Sequence, residues 1–282
     1  MKYIFLDVDG TLCMPSVDVS ELTRYAIQQA RENGHKVFIC SGRNKAGLSE
    51  VMKIGFDGMV ASAGGYIEVE GHKIYDCFLD NKTVAKARRV FDQAHVYYDL
   101  EATDKTYQSH EMQQLFAFGT IPEKMNSEMQ RLMAQHKERF ASHDLEEYDG
   151  SDPIHKICFI AKDLKDLEEP KRELSDQFRF VVHDIFDTDT INGEIIDLRV
   201  DKGKGIQRVL HYDHGDMKDT LGFGDSMNDL EMIQACHIGV VMGNGSPELK
   251  TYANLVCESV EGEGIYHEFI RQGFIKPKRK ED

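Results

Sequence analysis

Short unbroken apolar runs alternate with polar strings at both ends of the chain. Tyr3-Ile4-Phe5-Leu6 is the first such run, and apolarity without alternation fits a strand buried on both faces of a parallel sheet. Ser20 stands where a helix N-cap belongs. Leu22, Ala26, Ile27 and Ala30 supply the apolar stripe of the helix it opens, and Gly34 can close that helix in a left-handed turn. Val37 to Cys40 predicts a second strand, and Met59-Val60-Ala61 a third that leads to Gly64-Gly65. The same order returns late in the chain. Leu221-Gly222-Phe223 runs into Gly224-Asp225, a helix follows over about 228–235, and a strand over 238–242 ends at Gly243-Asn244-Gly245. This alternation predicts an α/β fold, a doubly wound and mostly parallel sheet.

Between about 80 and 190 the pattern changes. Val84, Ala87, Val90, Phe91 and Ala94 form a helical stripe, and strand-like runs follow at Leu115–Phe118, Ile157–Ala161 and Phe178–Val182. Helical stretches are predicted near 122–136 and 163–176. This reads as a separate α+β domain inserted into the α/β core, with the core at 1–80 and 190–282 and the insert at 81–189. Met125, Met129 and Met133 recur every four residues, which is the spacing of a packed stripe and not of sulfur chemistry. The tail from Lys276 to Asp282 is a charge run and reads as a solvated terminus.

Composition narrows the partners. The chain of 282 residues is 41% hydrophobic and 29% charged, enough to bury a core, and its formal charge is -15. Such a field repels phosphate backbones and anionic lipid, so neither nucleic acid nor a membrane surface is expected as a partner. A small anionic substrate would need a local positive site. The cysteines at 13, 40, 77, 158, 236 and 257 include no C-x-x-C pair. Their spacing therefore argues against a zinc site or a disulfide framework and for a reducing cytoplasm. The opening apolar run is too short for an export signal, and no stretch reaches the roughly 18 apolar residues of a membrane span. The twelve histidines show no metal-ligand spacing.

Four polar strings carry candidate chemistry. Asp7-Val8-Asp9-Gly10-Thr11 sets two carboxylates two residues apart at the C-terminal end of a buried strand, the end at which open α/β sheets bind ligands. Acids beside an apolar core call for positive charge, and Mg²⁺ with oxygen ligands is a natural counterpart. The bland alternative is a turn with an N-capping Asp. Gly222-Phe223-Gly224-Asp225-Ser226-Met227-Asn228-Asp229 adds carboxylates after another strand, with helix capping as its alternative. Ser41-Gly42-Arg43 offers a hydroxyl beside a free backbone amide, a pair able to hold a phosphate oxygen. Asp201-Lys202-Gly203-Lys204 places lysines at a helix start, where surface solvation is the commoner role.

Together these strings resemble the motifs of the haloacid dehalogenase-like hydrolases, in particular the Cof-type phosphatases. The resemblance rests on D-x-D-G-T at 7–11, G-D-x-x-N-D at 224–229 and the stretch from Val241 to Lys250. It covers about 1–80 and 190–275, and the gap between Ser41 and Lys202 matches relatives whose cap is inserted after the second motif. It implies a Mg²⁺-dependent, cytoplasmic phosphatase acting on a small phosphorylated metabolite such as a sugar phosphate. Asp7 would be the nucleophile that forms an aspartyl-phosphate, and Asp9 the general acid and then base. The metal would sit on Asp7, the Asp9 carbonyl and Asp225, with Asp229 ligating it directly or orienting its water shell. The phosphate would be held by Val8, Thr11, Ser41, Gly42, Lys202 and Asn228.

The chain departs from the pattern at two places. Ser41 replaces the usual Thr and keeps the hydroxyl, whereas Ala63-Gly64-Gly65 replaces Asn-Gly-Ala and loses an amide. Lys202 and Lys204 compete for the third-motif role, with Lys202 the better match. A phosphomutase and a non-catalytic scaffold are the alternative functions. The mutase would need a cap arginine cluster, and only Arg88-Arg89 are paired there. Arg88, His155, Lys156 and His183 are named as cap side chains able to meet a substrate, with packing or solvation as the plainer role. Nothing in the sequence fixes an oligomeric state.

Overall fold

The computed structural model describes residues 1–14, 17–110, 112, 142–182 and 191–279. The strand expected at Leu115–Phe118, the helix expected near 122–136 with its methionines, and His183 lie outside them. The described residues group into two compact units. The first takes 1–42, 48–75 and 201–282, and the second takes 43–47 and 76–200.

The first unit is built on an eight-stranded sheet. Its strands are β1 (Tyr3–Leu6), β2 (Lys36–Cys40), β3 (Gly58–Ala61), β4 (Tyr66–Val69) and β5 (His72–Asp76), then β12 (Thr220–Gly224), β13 (Ile238–Val241) and β14 (Leu255–Val256). They lie in the order β14-β13-β12-β1-β2-β3-β4-β5. Pairing is parallel from β14 through β3, and β4 runs antiparallel to β3.

Alternate residues of the central strands feed two separate cores, and this makes the sheet doubly wound. Ile4, Leu6, Val37 and Ile39 face Ala26, Ile27 and Ala30 of α1 (Glu21–Glu32) together with Ile265, Tyr266 and Phe269 of α8 (Gly264–Arg271). Tyr3, Phe5 and Phe38 face the other way, onto Ile206, Val209 and Leu210 of α5 (Lys202–Tyr212) and Met232 of α6 (Leu230–Ala235). Both faces are covered, so β1 needs a side chain that tolerates burial at every position, and its run is accordingly unbroken. Ser20 caps α1 as its residue type predicts, accepting a hydrogen bond from the Thr23 amide at 3.1 Å.

The second unit carries a six-stranded sheet in the order β10-β11-β9-β6-β7-β8. The strands are β6 (Tyr97–Ala102), β7 (Thr106–Gln108), β8 (Ser142–Asp144), β9 (Ile154–Ala161), β10 (Phe178–Val182) and β11 (Ile191–Asp197). One face packs Tyr98, Leu100, Ile157, Phe159 and Ile195 against α3 (Asn81–Gln93) and α4 (Glu168–Leu174). The runs expected at 157–161 and 178–182 are strands. The stripe from Val84 is a helix, and the helical stretch expected over 163–176 is a 3₁₀ turn at Leu164–Leu167 followed by α4. Strands β6 and β11 escaped the apolar pattern because Asp99 and Glu101 interrupt the one and Asn192 and Glu194 the other. Strand β11 groups with this unit because both of its ladders, to β9 and to β10, lie there. Among the described residues no helix is long and apolar enough to cross a membrane.

Phe269 is fully buried and meets Phe223 and Phe274 edge-on at ring separations of 5.8 and 5.7 Å. Phe269→Ala should lower the stability of the first unit by about 3–5 kcal/mol. Denaturant unfolding followed by a probe in that unit checks this, and a loss below about 1 kcal/mol would show that the ring cluster is not a packing centre.

Candidate active site

Parallel strands in register bring their C-terminal ends to one rim, and the polar strings of the first unit start there. Leu6 pairs with Phe223 across β1 and β12, and with Ile39 across β1 and β2. Asp7 follows β1 directly, Asp225 follows β12, and Ser41 follows β2. The Asp7 amide donates to the Phe223 carbonyl at 3.0 Å, which continues the ladder and holds the two acidic loops side by side.

Asp7, Asp225 and Asp229 each offer a carboxylate oxygen within 4.8 Å of the others, and all three are buried. Lys202, the first residue of α5, sends its ammonium into this cluster. It donates to Asp7 Oδ1 at 2.7 Å and to Asp229 Oδ1 at 2.5 Å, and it is 1% exposed. Lys204 does not reach the cluster. Its side chain is half exposed and pairs with Asp201 at 3.1 Å. The Asp201 N-cap sets the two lysines apart: its carboxylate accepts from the Lys204 amide and fixes the helix start so that Lys202 points inward.

Asp229 is itself held by backbone. Its Oδ2 accepts from the amides of Asp225 at 2.9 Å and Ser226 at 3.3 Å, closing a capping box with Ser226. Gly224 makes this approach possible, since a Cβ there would lie 2.5 Å from the Asp229 side chain. Gly10 does the same for Asp225. It has φ +81°, and a Cβ would come within 2.3 Å of the Asp225 carboxylate. Thr11 Oγ1 donates to Asp225 Oδ1 at 3.5 Å. Asp9 is buried on the same loop, where the Gly10 amide donates to the Cys13 carbonyl at 2.8 Å.

Other expected residues lie on the loops of the same rim. Ser41 is buried and its amide donates to the Val60 carbonyl, while its own carbonyl accepts from the Ala63 amide. Gly42 is half-buried. Val8 is buried, and its carbonyl accepts from the amides of Leu12 and Cys13. Asn228 is half-buried and accepts from Ser226 Oγ at 2.9 Å.

Two features were missed as site elements. Asn244, just after β13, donates to the Gly10 carbonyl at 2.7 Å and accepts from the Val260 amide at 2.9 Å, so it pins the acidic loop from behind. The signal was present in Gly243-Asn244-Gly245. The other feature is Ser62-Ala63-Gly64, which holds positive φ at three successive residues and leaves the Ser62 hydroxyl buried without a hydrogen-bond partner. Left-handed backbone at non-glycine residues is strained and tends to mark functional sites.

The charge balance of the cluster is uneven. Burial and the neighbouring Asp229 push the Asp7 carboxyl up to about 7, against the pull of Lys202. Burial, Asp229 and Asp7 push Asp225 well above the carboxylate range. Lys202 stays charged because Asp229 and Asp7 outweigh its desolvation. A hard cation with oxygen ligands would fit these three carboxylates and replace the proton that the surplus of acids otherwise holds.

The sign of the resulting pH dependence follows. An unfolded Asp loses its proton near 4, whereas native Asp7 keeps it to about 7. The native state therefore binds more protons in that window, and stability falls as pH rises through it. Melting in chelator should give a lower Tm at pH 7.5 than at pH 5, with a smaller drop in Asp7→Asn and after addition of a divalent cation. Equal slopes in wild type and Asp7→Asn would show that Asp7 ionises normally.

A family model of haloacid dehalogenase-like hydrolases matches residues 4–269. YkrA of Bacillus subtilis is 27% identical over 278 residues, covering 98% of this chain and 99% of that protein. An HMP-PP phosphatase of Yersinia pseudotuberculosis is 26% identical over 251 residues, covering 86% of this chain and 84% of its own. A solved haloacid dehalogenase-like hydrolase from B. subtilis superposes with a TM-score of 0.80 at 21% identity, over 96% of this chain and 99% of that one. The match spans both acidic loops, Lys202 and the second unit, and the resemblance read from the motifs is borne out. The chain belongs to the haloacid dehalogenase-like hydrolases, and it is a phosphatase of that family.

Proposed function

We propose that the enzyme hydrolyses a small phosphorylated metabolite with Mg²⁺, through an aspartyl-phosphate on Asp7. The observation that carries this reading is the convergence of Asp7, Asp225, Asp229 and Lys202 at the rim of the sheet. The Y. pseudotuberculosis relative bears a name for a small phosphorylated substrate, as does 5-amino-6-(5-phospho-D-ribitylamino)uracil phosphatase YwtE of B. subtilis, 25% identical over 289 residues.

In this mechanism a carboxylate oxygen of Asp7 attacks phosphorus, and the bond from phosphorus to the leaving oxygen breaks. Asp9 gives its proton to that oxygen, and the alcohol departs. Asp9 then takes a proton from water, whose oxygen attacks the phosphorus of the aspartyl-phosphate. The P–O bond to Asp7 breaks, orthophosphate leaves, and the Asp7 carboxylate is restored. Asp7, the Asp9 carbonyl, Asp225 and Asp229 would hold Mg²⁺, which when bound offsets the repulsion between an anionic nucleophile and an anionic phosphate. Lys202 adds a buried positive charge that keeps the Asp7 oxygen aimed. Val8, Thr11, Ser41, Gly42 and Asn228 would hold the phosphate oxygens, and the second unit, as an inserted cap, would choose the leaving group.

A screen of phosphorylated metabolites with Mg²⁺, reading released phosphate, tests the reading. Free phosphate is the required product, and an isomerised sugar phosphate would replace this reading with the mutase. Asp7→Asn should lower kcat by about 10⁴-fold or more with the fold retained. Near-normal turnover in that variant removes Asp7 as nucleophile. Asp225→Asn should raise the Mg²⁺ concentration for half-maximal rate by about 10-fold or more, and an unchanged metal titration removes Asp225 from the metal site.

A further inference from the structure

The turn that follows β3 has two destabilising features at one residue. Ser62, Ala63 and Gly64 hold φ of +48°, +52° and +97°. Glycine takes such backbone freely, whereas serine and alanine are strained in it. The second feature is the Ser62 hydroxyl. Ser62 is 1% exposed, and among the described residues its Oγ has no hydrogen-bond partner. A buried hydroxyl left unmet is unfavourable and calls for an explanation. Alanine at 62 would avoid it, and the same left-handed backbone already accepts alanine at 63.

Contacts on both sides fix where the turn lies. The Ser41 amide donates to the Val60 carbonyl at 2.8 Å, and the Ala63 amide donates to the Ser41 carbonyl at 3.1 Å, so the turn is tied to the loop after β2. Gly64 lies against the backbone of Asp201, where a Cβ would come within 2.3 Å of the carbonyl oxygen. Asp201 caps α5, and the next residue is Lys202, whose ammonium enters the aspartate cluster. The turn is thus held between the Ser41 loop and the helix start that carries Lys202. Burial does not set Ser62 apart from the site, because Asp7, Ser41 and Lys202 are all buried as well. A hydroxyl in that company is placed to meet a molecule bound at the rim.

We infer, on the basis of the reaction proposed above, that Ser62 is a further substrate-binding residue whose hydroxyl is kept for an oxygen of the bound substrate. That oxygen belongs to the phosphoryl group or to a hydroxyl of the group that leaves. A serine hydroxyl suits both, since it donates to a phosphoryl oxygen and either donates to or accepts from an alcohol. The bound substrate supplies the partner that the protein withholds, and a molecule lacking that oxygen leaves the hydroxyl unmet. Such a site discriminates by what it leaves unpaired.

Ser62→Ala in the full chain tests this with two readouts. Without substrate its Tm should rise by about 2 °C or more, because an unmet buried group is removed. With Mg²⁺, and the fastest hydroxyl-bearing substrate of the metabolite screen, its KM should rise by about 10-fold or more. Orthophosphate as a competitive inhibitor locates the contact. Inhibition weakened by the same factor assigns it to the phosphoryl group, and an unaltered inhibition constant assigns it to the leaving group. A fall in Tm would show that the hydroxyl is bonded within the protein, and a KM within about twofold of wild type would show that the substrate does not meet it; either overturns the inference while the phosphatase reaction stands. A wild-type chain that frees phosphate from neither phenyl phosphate nor any metabolite overturns the proposed reaction, and the role of Ser62 with it.

Discussion

Carboxylates packed around the ammonium of Lys202 set the terms for the first unit. Asp7, Asp225 and Asp229 are buried within 4.8 Å of one another, and Lys202 bonds two of them directly. One positive charge does not neutralise them, so the site holds a proton or takes a cation. That imbalance is chemically useful. In the proposed reaction, a carboxylate kept neutral by its neighbours would be freed as the anionic nucleophile by a bound cation, whose positive charge would also favour an incoming phosphate.

The sheet is what makes this arrangement affordable. Parallel pairing in register delivers several strand ends to one edge, and each strand contributes a loop there with no long connection to order. The loops are then fixed by backbone. Amides of Asp225 and Ser226 hold Asp229, Asn244 holds the Gly10 carbonyl, and glycines at 10 and 224 leave room for carboxylates where any side chain would collide. The acids are therefore positioned before any ligand arrives, and little reorganisation remains for the reaction itself.

The second unit repeats the same physical theme on an antiparallel sheet. Alternation sends one set of residues into an apolar core against two helices and the other set into a buried charged layer. Both units place acids where water is excluded. The first sets Lys202 among its acids, and the second sets Lys156 against Glu194.

The sequence by itself determined the α/β class, the strands whose two faces are both buried, the caps such as Ser20, and the acidic strings at strand ends. Those features are local, since an unbroken apolar run or an Asp-x-Asp-Gly-Thr string has its meaning within a few residues. Only the tertiary structure decided which lysine enters the cluster, that Asn244 braces the loop of Gly10, and that β6 and β11 are strands. Lys202 and Lys204 are equivalent by composition and differ only in the direction that the helix start gives them. The acids of β6 and β11 look like surface residues in a linear pattern, because burial of a charge depends on partners that lie dozens of residues away.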